Sequence, residues 1–502
     1  MKTTVMRRYD VIDSLSGEPL DVLVIGGGIV GSGVARDAAM RGLRVGLVEQ
    51  NDFAFGTSSR SSRLLHGGLR YLAQGRIGLV HEASVEKKII HQIAPHLADP
   101  LAFVFPTYTG NNEWKLWQLK IGVKIYDLLC GGKNLGRSSW LSPARVLEII
   151  PGLNPSRLNG AVRYYDGFTN DARLVIDTLR SAANRGALVV NYARFKNARF
   201  IEYLWHCDVE NMLLNKATEN RAWSIRARAV VNATGPWADG LPHSQVKLRL
   251  TKGIHCVVER AKVPVPDAVV MTEGKRILFA IPWGDRTILG TTDTDYSGSL
   301  ERVFADASDI QYVLKIVNTH FPKANLTPQD VISTWAGLRP LVADPSGKPS
   351  DISRAHEITS PEPRWWDVAG GKLTTYRLMA EQTVDRIVSE LKVQAEPCRT
   401  AQEPLLPESE TAGFSGITPP EFCRAAVEHF CRNEWAAHVD DIMVRRTSWH
   451  YFHRDAEHRA AQVVNWMADL LGWGDAEQAS EWNRYKNSAT PGLINRSSKN
   501  TM

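Results

Sequence analysis

Residues 21–49 constrain this 502-residue chain more than any other stretch. They read DVLVIGGGIVGSGVARDAAMRGLRVGLVE: an apolar run at 22–25, glycines at Gly26, Gly28 and Gly31, a helix-forming segment, a second apolar run at 43–48, and Glu49. A continuous apolar run ending in glycines predicts a buried parallel strand that turns sharply into a helix. The glycines allow a tight turn, close approach of backbone to a pyrophosphate, and packing of the helix on the sheet. The helix N-terminus then presents unpaired N–H groups to phosphate. Glu49, roughly 20 residues beyond the glycines, is placed to accept from ribose hydroxyls. An acid there argues against NADP. NAD and FAD both stay open on this stretch alone.

Five hundred residues exceed one ordinary core, so two or three domains are expected. The chain is 43% hydrophobic and 23% charged, as globular proteins are. Its net charge of +6 is spread along the chain rather than gathered in a basic stripe, which speaks against a nucleic-acid partner and suits phosphorylated substrates or an anionic membrane face. Cys130, Cys207, Cys256, Cys398, Cys423 and Cys431 form no CxxC pair, so neither a metal site nor a disulfide framework is expected, and a reducing cytoplasm fits. The first residues lack the apolar core of a secretory signal and read as a loose N-terminal extension. No run approaches the roughly 18 apolar residues that span a bilayer, so any membrane contact is one-sided.

Strand-like runs at 187–192, 227–232, 276–282 and 287–290 alternate with helical patterns such as 171–185, where Leu174, Ile176, Leu179 and Ala182 recur at helical spacing. This is an α/β pattern. Residues 247–330 are richer in β-branched residues and turn signals, predicting a mostly antiparallel sheet inserted into the nucleotide-binding domain. Pro, Glu, Ser, Thr and Gly dominate 397–420, which reads as a linker. Residues 420–473 read as helical throughout and form a small α domain; the polar tail from about Asn483 is expected to fray.

Three further stretches add to the first. Residues 52–70, DFAFGTSSRSSRLLHGGLR, follow Glu49 directly. Thr57, Ser58, Ser59, Ser61 and Ser62, then His66, Gly67 and Gly68, can line a pyrophosphate and a flat ring system, and Arg70 and Tyr71 follow them into the same cleft. Residues 230–237, VVNATGPW, end a β-run in Ala233, Thr234 and Gly235, small enough for backbone to approach a flat ligand. Residues 368–377, VAGGKLTTYR, again give strand, glycines and helix, with Gly371, Lys372, Leu373 and Thr374 at the turn. Each alone is also an ordinary loop or turn.

Together with KGIHCVV (252–258), GTTDTDY (290–296), GLRPL (337–341) and DARLV (171–175), these motifs stand in the order of the FAD-dependent glycerol-3-phosphate dehydrogenase family, which the chain resembles over roughly residues 18–392. The resemblance is to the respiratory type, which passes electrons to quinone. It implies FAD as cofactor, no metal, and an FAD-binding Rossmann-like domain (segments 18–105, 170–246 and 335–395). A mixed or antiparallel substrate sheet (106–169 and 247–334) is inserted in it. An extension (1–17), a linker (396–419) and a helical domain (420–502) complete the expected division. RRTSWHYF (445–452) is the clearest echo in the helical domain. The resemblance leaves a homodimer open.

A phosphomonoester carries about −1.5 to −2 charges at neutral pH. Arg70, Arg339, Arg354 and Lys372, with Tyr71, stand in the matching motifs and form the implied clamp. Arg339, between apolar neighbours, needs a partner for its charge and can also serve the developing alkoxide. His255 of KGIHCVV is the candidate base, because an unperturbed imidazole is mostly neutral at pH 7.

In residues 114–129, Trp114, Trp117, Ile121, Ile125 and Leu128 lie at helical spacing with Lys115, Lys120 and Lys124 between them. This suits a helix in the headgroup layer of an anionic membrane, and equally a helix packed on its own core. The expected location is the cytoplasm, peripheral on the inner membrane face. Competing functions are an oxidase of the same substrate using oxygen, an amino-acid-oxidase-like flavoenzyme, and a flavin-dependent RNA-modifying or RNA-binding factor, which lacks any aromatic RNA-binding strand or basic stripe.

Overall fold

The apolar run predicted at 22–25 lies at the centre of a sheet, because only a strand covered on both faces tolerates four apolar residues in succession. A computed structural model of the chain describes residues 6–72, 75–110, 113–131, 134–213, 222–342 and 356–489. Strand Leu20–Ile25 pairs in parallel with Val45–Val48 on one side and Ala222–Asn232 on the other. Leu188–Val190 and Trp365–Gly370 extend this parallel core outward. An antiparallel edge strand, His356–Glu362, and a meander of Ala193–Ile201 and Leu204–Asn211 complete the sheet. Helices Ile29–Met40, Asp171–Ala183 and Tyr376–Leu391 contribute to one apolar core with it.

Among the described residues the second sheet has ten strands. Its longest antiparallel contact joins Leu248–Glu259 to Val331–Val342, with His255 opposite Trp335. The hairpin of Arg276–Trp283 and Arg286–Gly290 pairs alongside, and Asp99–Tyr108 with Leu158–Phe168 form the far side. Two of the expected divisions, at 105/106 and 334/335, therefore fall inside strands of this sheet.

Four expectations need correction. The N-terminal extension is not loose: Arg8–Ser16 is a helix whose Val11 and Leu15 are buried, and Arg8 donates to the Tyr192 carbonyl and to Asn211. The presumed linker is packed, since Leu405 and Leu406 are buried and Arg36 donates to the carbonyls of Thr400 and Glu403. Polar composition misled there because its main-chain carbonyls serve a buried arginine. The α domain is broken rather than helical throughout, with Arg424–Asn433, a π-turn at Asp441–Arg446, Trp449–Phe452 and Ala456–Leu471. The expected fraying from about Asn483 does not hold as far as residue 489, since 483–489 continue the helix Asp475–Ala489 with Tyr485 buried against the domain core and its hydroxyl bonded to His450; the rest of the tail lies outside the described residues. No helix among the described residues is long and apolar enough to cross a membrane.

Candidate active site

Both sheets contribute walls to one cavity of about 1600 Å³. From the parallel sheet and the turns that follow its strands come Gly26, Gly28, Glu49, Thr57, Ser58, Ala233, Thr234, Gly235, Gly371, Lys372, Leu373 and Thr374, and from the flanks of Leu64–Leu65, a short strand of the second sheet, come Ser61, Ser62, His66 and Gly68. From the antiparallel sheet come His255 and Arg339. Sequence positions more than 300 residues apart thus share one chamber, as the three glycine-bearing turns implied. Arg354 lies outside the described residues. Arg70 and Tyr71 fall in the short helix Leu69–Leu72, and their side chains lie outside what the structure describes.

Gly31, Ser59 and Gly67 do not line the cavity. A Cβ on Gly31 would lie 1.9 Å from the Gly26 carbonyl oxygen, so this residue sets the contact of helix on turn. Ser59 is buried. Gly67 donates its N–H to the Tyr126 hydroxyl, where a side chain would collide.

The first turn leaves backbone N–H groups free of side-chain bulk at the head of a helix. Gly26 has φ +108° and no space for a Cβ beside the Ala233 carbonyl. Helix Ile29–Met40 begins without a capping side chain on Gly28, and Ser58 Oγ accepts from the Ile29 N–H at 3.0 Å. Glu49 accepts from the N–H groups of Gly27 (2.7 Å) and Asn51 (2.8 Å). Burial pushes its carboxyl up to about 7. Each carboxylate oxygen retains acceptor capacity for hydroxyls. Helix N-terminus, glycine turn and an acid with acceptor capacity to spare, all in one chamber, fit a dinucleotide.

His255 is fully enclosed between the two sheets' contributions. Its Nε2 meets Ser62 Oγ at 2.9 Å, and its ring stacks on Trp335 with centroids 5.1 Å apart. Nδ1 is buried without a hydrogen-bond partner. Ser62, expected on the cofactor, is thus the histidine's own partner. The histidine is neutral, though not because its pKa is ordinary: burial first, then the charges of Arg339 and Arg63, push it down to about 3. An Nε2–H donated to Ser62 would leave the Nδ1 lone pair as the acceptor, a tautomer inferred from the partners.

Arg339 finds the partner that its apolar neighbours demanded. It pairs with Asp293 at 3.2 Å and donates to the Thr292 carbonyl and to Thr291 Oγ1. These partners sit in GTTDTDY, a motif recognised above without roles for its residues. Gly253 was also missed, although KGIH displays it. A Cβ there would stand 2.5 Å from Arg339 Nη2, so the bare backbone is what lets the guanidinium lie flat against the strand. Gly253→Ala is expected to fold, because the colliding atoms belong to a movable side chain. Its kcat/KM is expected to fall about 10- to 100-fold through misplacement of Arg339. Wild-type kcat/KM in steady-state assays would contradict this role.

The family model described as FAD dependent oxidoreductase matches residues 21–386, and that described as the C-terminal domain of alpha-glycerophosphate oxidase matches residues 408–478. The aerobic glycerol-3-phosphate dehydrogenase of Staphylococcus saprophyticus is 32% identical, covering 95% of this chain and 96% of its own. That of Staphylococcus aureus is 38% identical over 80% of this chain and 73% of its own. The glycerol-3-phosphate dehydrogenase from Bacillus halodurans, solved as a complex with FAD, superposes with a TM-score of 0.77 at 29% identity, covering 97% of each chain. With a family model spanning most of its length and a relative matching nearly end to end, this chain belongs to the FAD-dependent oxidoreductases and, within them, to the aerobic glycerol-3-phosphate dehydrogenase family.

Proposed function

We propose that this enzyme oxidises glycerol 3-phosphate to dihydroxyacetone phosphate and passes the electrons to a quinone. The observation that carries the reading is the single cavity shared by the dinucleotide cradle and the His255, Arg339 and Lys372 group. Gly26, Gly28, Glu49, Thr57, Ser58, Gly235 and the 371–374 turn are the residues to hold FAD, which supplies a two-electron hydride acceptor when bound. His255 Nδ1 takes the proton of the substrate's C2 hydroxyl. Arg339 and Lys372, joined by Arg70, Tyr71 and Arg354, balance the phosphate, and Arg339 can also stabilise the developing alkoxide.

The test is an anaerobic spectrum of the purified protein. A flavin absorbance bleached by glycerol 3-phosphate but not by glycerol or lactate supports the reading; no bleaching by glycerol 3-phosphate rejects it. Reoxidation by a quinone analogue without stoichiometric hydrogen peroxide supports the acceptor, and peroxide formed at the rate of substrate oxidation favours the oxidase.

Membrane docking is part of the same proposal. Helix Leu116–Leu129 buries Leu119, Val123 and Tyr126, while Trp117, Ile121, Ile125 and Leu128 are exposed in a continuous stripe. Trp114 is not part of it: it precedes the helix, packs on Phe105 and donates to the Gly274 carbonyl. Trp117, Ile121 and Ile125 also line the cavity, so the stripe flanks the opening through which a lipid-soluble acceptor would arrive. The double substitution W117E/I121E is expected to abolish co-flotation with anionic liposomes while leaving flavin content intact. Undiminished flotation would refute the docking surface.

A further inference from the structure

We infer that Arg63 is a positioning residue for His255, through which the C-terminal helical domain holds the proton-accepting side of the active site in place. The inference rests on the assignment of His255 as base. Arg63 lies outside the cavity wall, is 1% exposed, and has a left-handed backbone at φ +57°. Its guanidinium is flanked by Trp283 at 4.5 Å and Trp335 at 5.3 Å, the latter being the ring on which His255 stacks. Arginine stacked on indole faces is held by the ring quadrupole. Nη2 donates to Ser448 Oγ at 3.0 Å, and Nε stands 3.9 Å from Asp171 Oδ1. Nε and Nη1 make no hydrogen bond, so the charge is kept in a dry site by stacking and by Asp171.

The same knot orders the loop that touches the histidine. Asp171 Oδ2 accepts from the Ser61 N–H at 2.9 Å, Trp335 Nε1 donates to the Ser61 carbonyl at 3.0 Å, and the adjacent Ser62 holds His255 Nε2. Behind Trp335 stands Tyr451, with ring centroids 5.1 Å apart, and the Tyr451 carbonyl accepts from Ser333 Oγ at 2.7 Å. Ser448 and Tyr451 belong to RRTSWHYF, Asp171 to DARLV and Arg63 to the serine loop. Two motifs of unassigned role therefore meet the serine loop on the far side of the catalytic wall. The charges that act on His255 are those of Arg339, itself paired with Asp293, and of Arg63 from the loop, which is faced in turn by Asp171 from its helix and Tyr451 from the helical domain. Both arginines disfavour the imidazolium, so Arg63 keeps the base ready as well as oriented.

The test uses full-length, FAD-loaded enzyme. Arg63→Met is expected to lower kcat at least about tenfold, with KM for glycerol 3-phosphate changed less than about twofold and the flavin spectrum intact. Arg63→Lys restores most of the rate. In NMR titrations, the His255 signal, assigned by its loss in His255→Asn, protonates at higher pH in Arg63→Met than in wild type. Ser448→Gly, which tolerates the left-handed backbone at Ser448 (φ +60°), lowers kcat in the same sense. Unchanged kcat and His255 titration in Arg63→Met overturn the inference. If that variant does not fold, unchanged kcat in Ser448→Gly does so. Wild-type turnover by His255→Asn rejects instead the underlying assignment of the base.

Discussion

Replacing His255 with Asn is expected to reduce kcat by about 10²- to 10⁴-fold, the usual contribution of a positioned proton acceptor. Asn preserves a hydrogen-bonding group for Ser62 and a planar face for Trp335, so the strand pairing of His255 with Gly290 and Trp335 should persist. KM and flavin absorbance are expected to change little, because neither FAD nor the phosphate clamp depends on the imidazole. The wild-type histidine is held neutral well below the working range, first by burial and then by Arg339 and Arg63. Its own ionisation therefore imposes no loss of kcat/KM between pH 6 and 9 in the free enzyme. Single-turnover flavin reduction measured across that range checks both statements. Unchanged turnover in His255→Asn would eliminate it as the base.

Asp52→Asn is expected to destabilise the folded chain by about 3–5 kcal/mol, the cost of breaking a buried ion pair by removing one partner. Asp52 is fully buried; Arg446 donates to both its oxygens at 2.7 and 2.9 Å, Arg445 to one, and Asn191 adds a fourth bond. The two arginines come from the π-turn of the helical domain and Asp52 from the segment after Glu49, so the pair fastens that domain to the dinucleotide core. The amide would keep one acceptor and take away the carboxylate that Arg446 holds most closely, leaving it Glu434 at 3.8 Å, while Arg445 retains Asp440 and Asp441. Urea denaturation and limited proteolysis should show the helical domain released first; a change under about 1 kcal/mol would mean that apolar packing alone holds it.

The same cluster gives stability a direction with pH. Burial alone would push Asp52 and Glu434 up, but Arg446 with Arg445, and Arg173 with His429 and Arg180, more than offset it and hold both below the ordinary carboxylate range. Carboxyls lowered in the folded state contribute stability that is complete above the unfolded value of about 4 and lost as pH falls through the folded values. Asp441 runs the other way, raised by burial and by the neighbouring Asp52, and partly offsets them. The interface is therefore expected to loosen in acid, below about pH 4.

What could be read along the chain was whatever local geometry demands. Gly26 and Gly31 had to be glycine because backbone atoms occupy the space of a Cβ, and the apolar run beside them had to be a two-sided strand. The three glycine turns, Glu49, His255, Arg339 and Lys372 were all visible as motifs, and the structure brings them to one cavity. The errors arose where polar composition was taken for solvent exposure: main-chain carbonyls of 397–420 serve the buried Arg36, Tyr485 is buried with its hydroxyl on His450, and Arg8 of the first helix donates to the buried Asn211.

The dinucleotide-binding strand–turn–helix was determined by the sequence itself, since its constraints act between residues a few positions apart. Which groups surround His255 was decided only by the tertiary structure. Arg63 meets Ser448 across 385 positions, and Asp52 meets Arg446 across 394. No periodicity or spacing encodes such pairs, because they exist only once two separately formed cores exclude water from the charges between them.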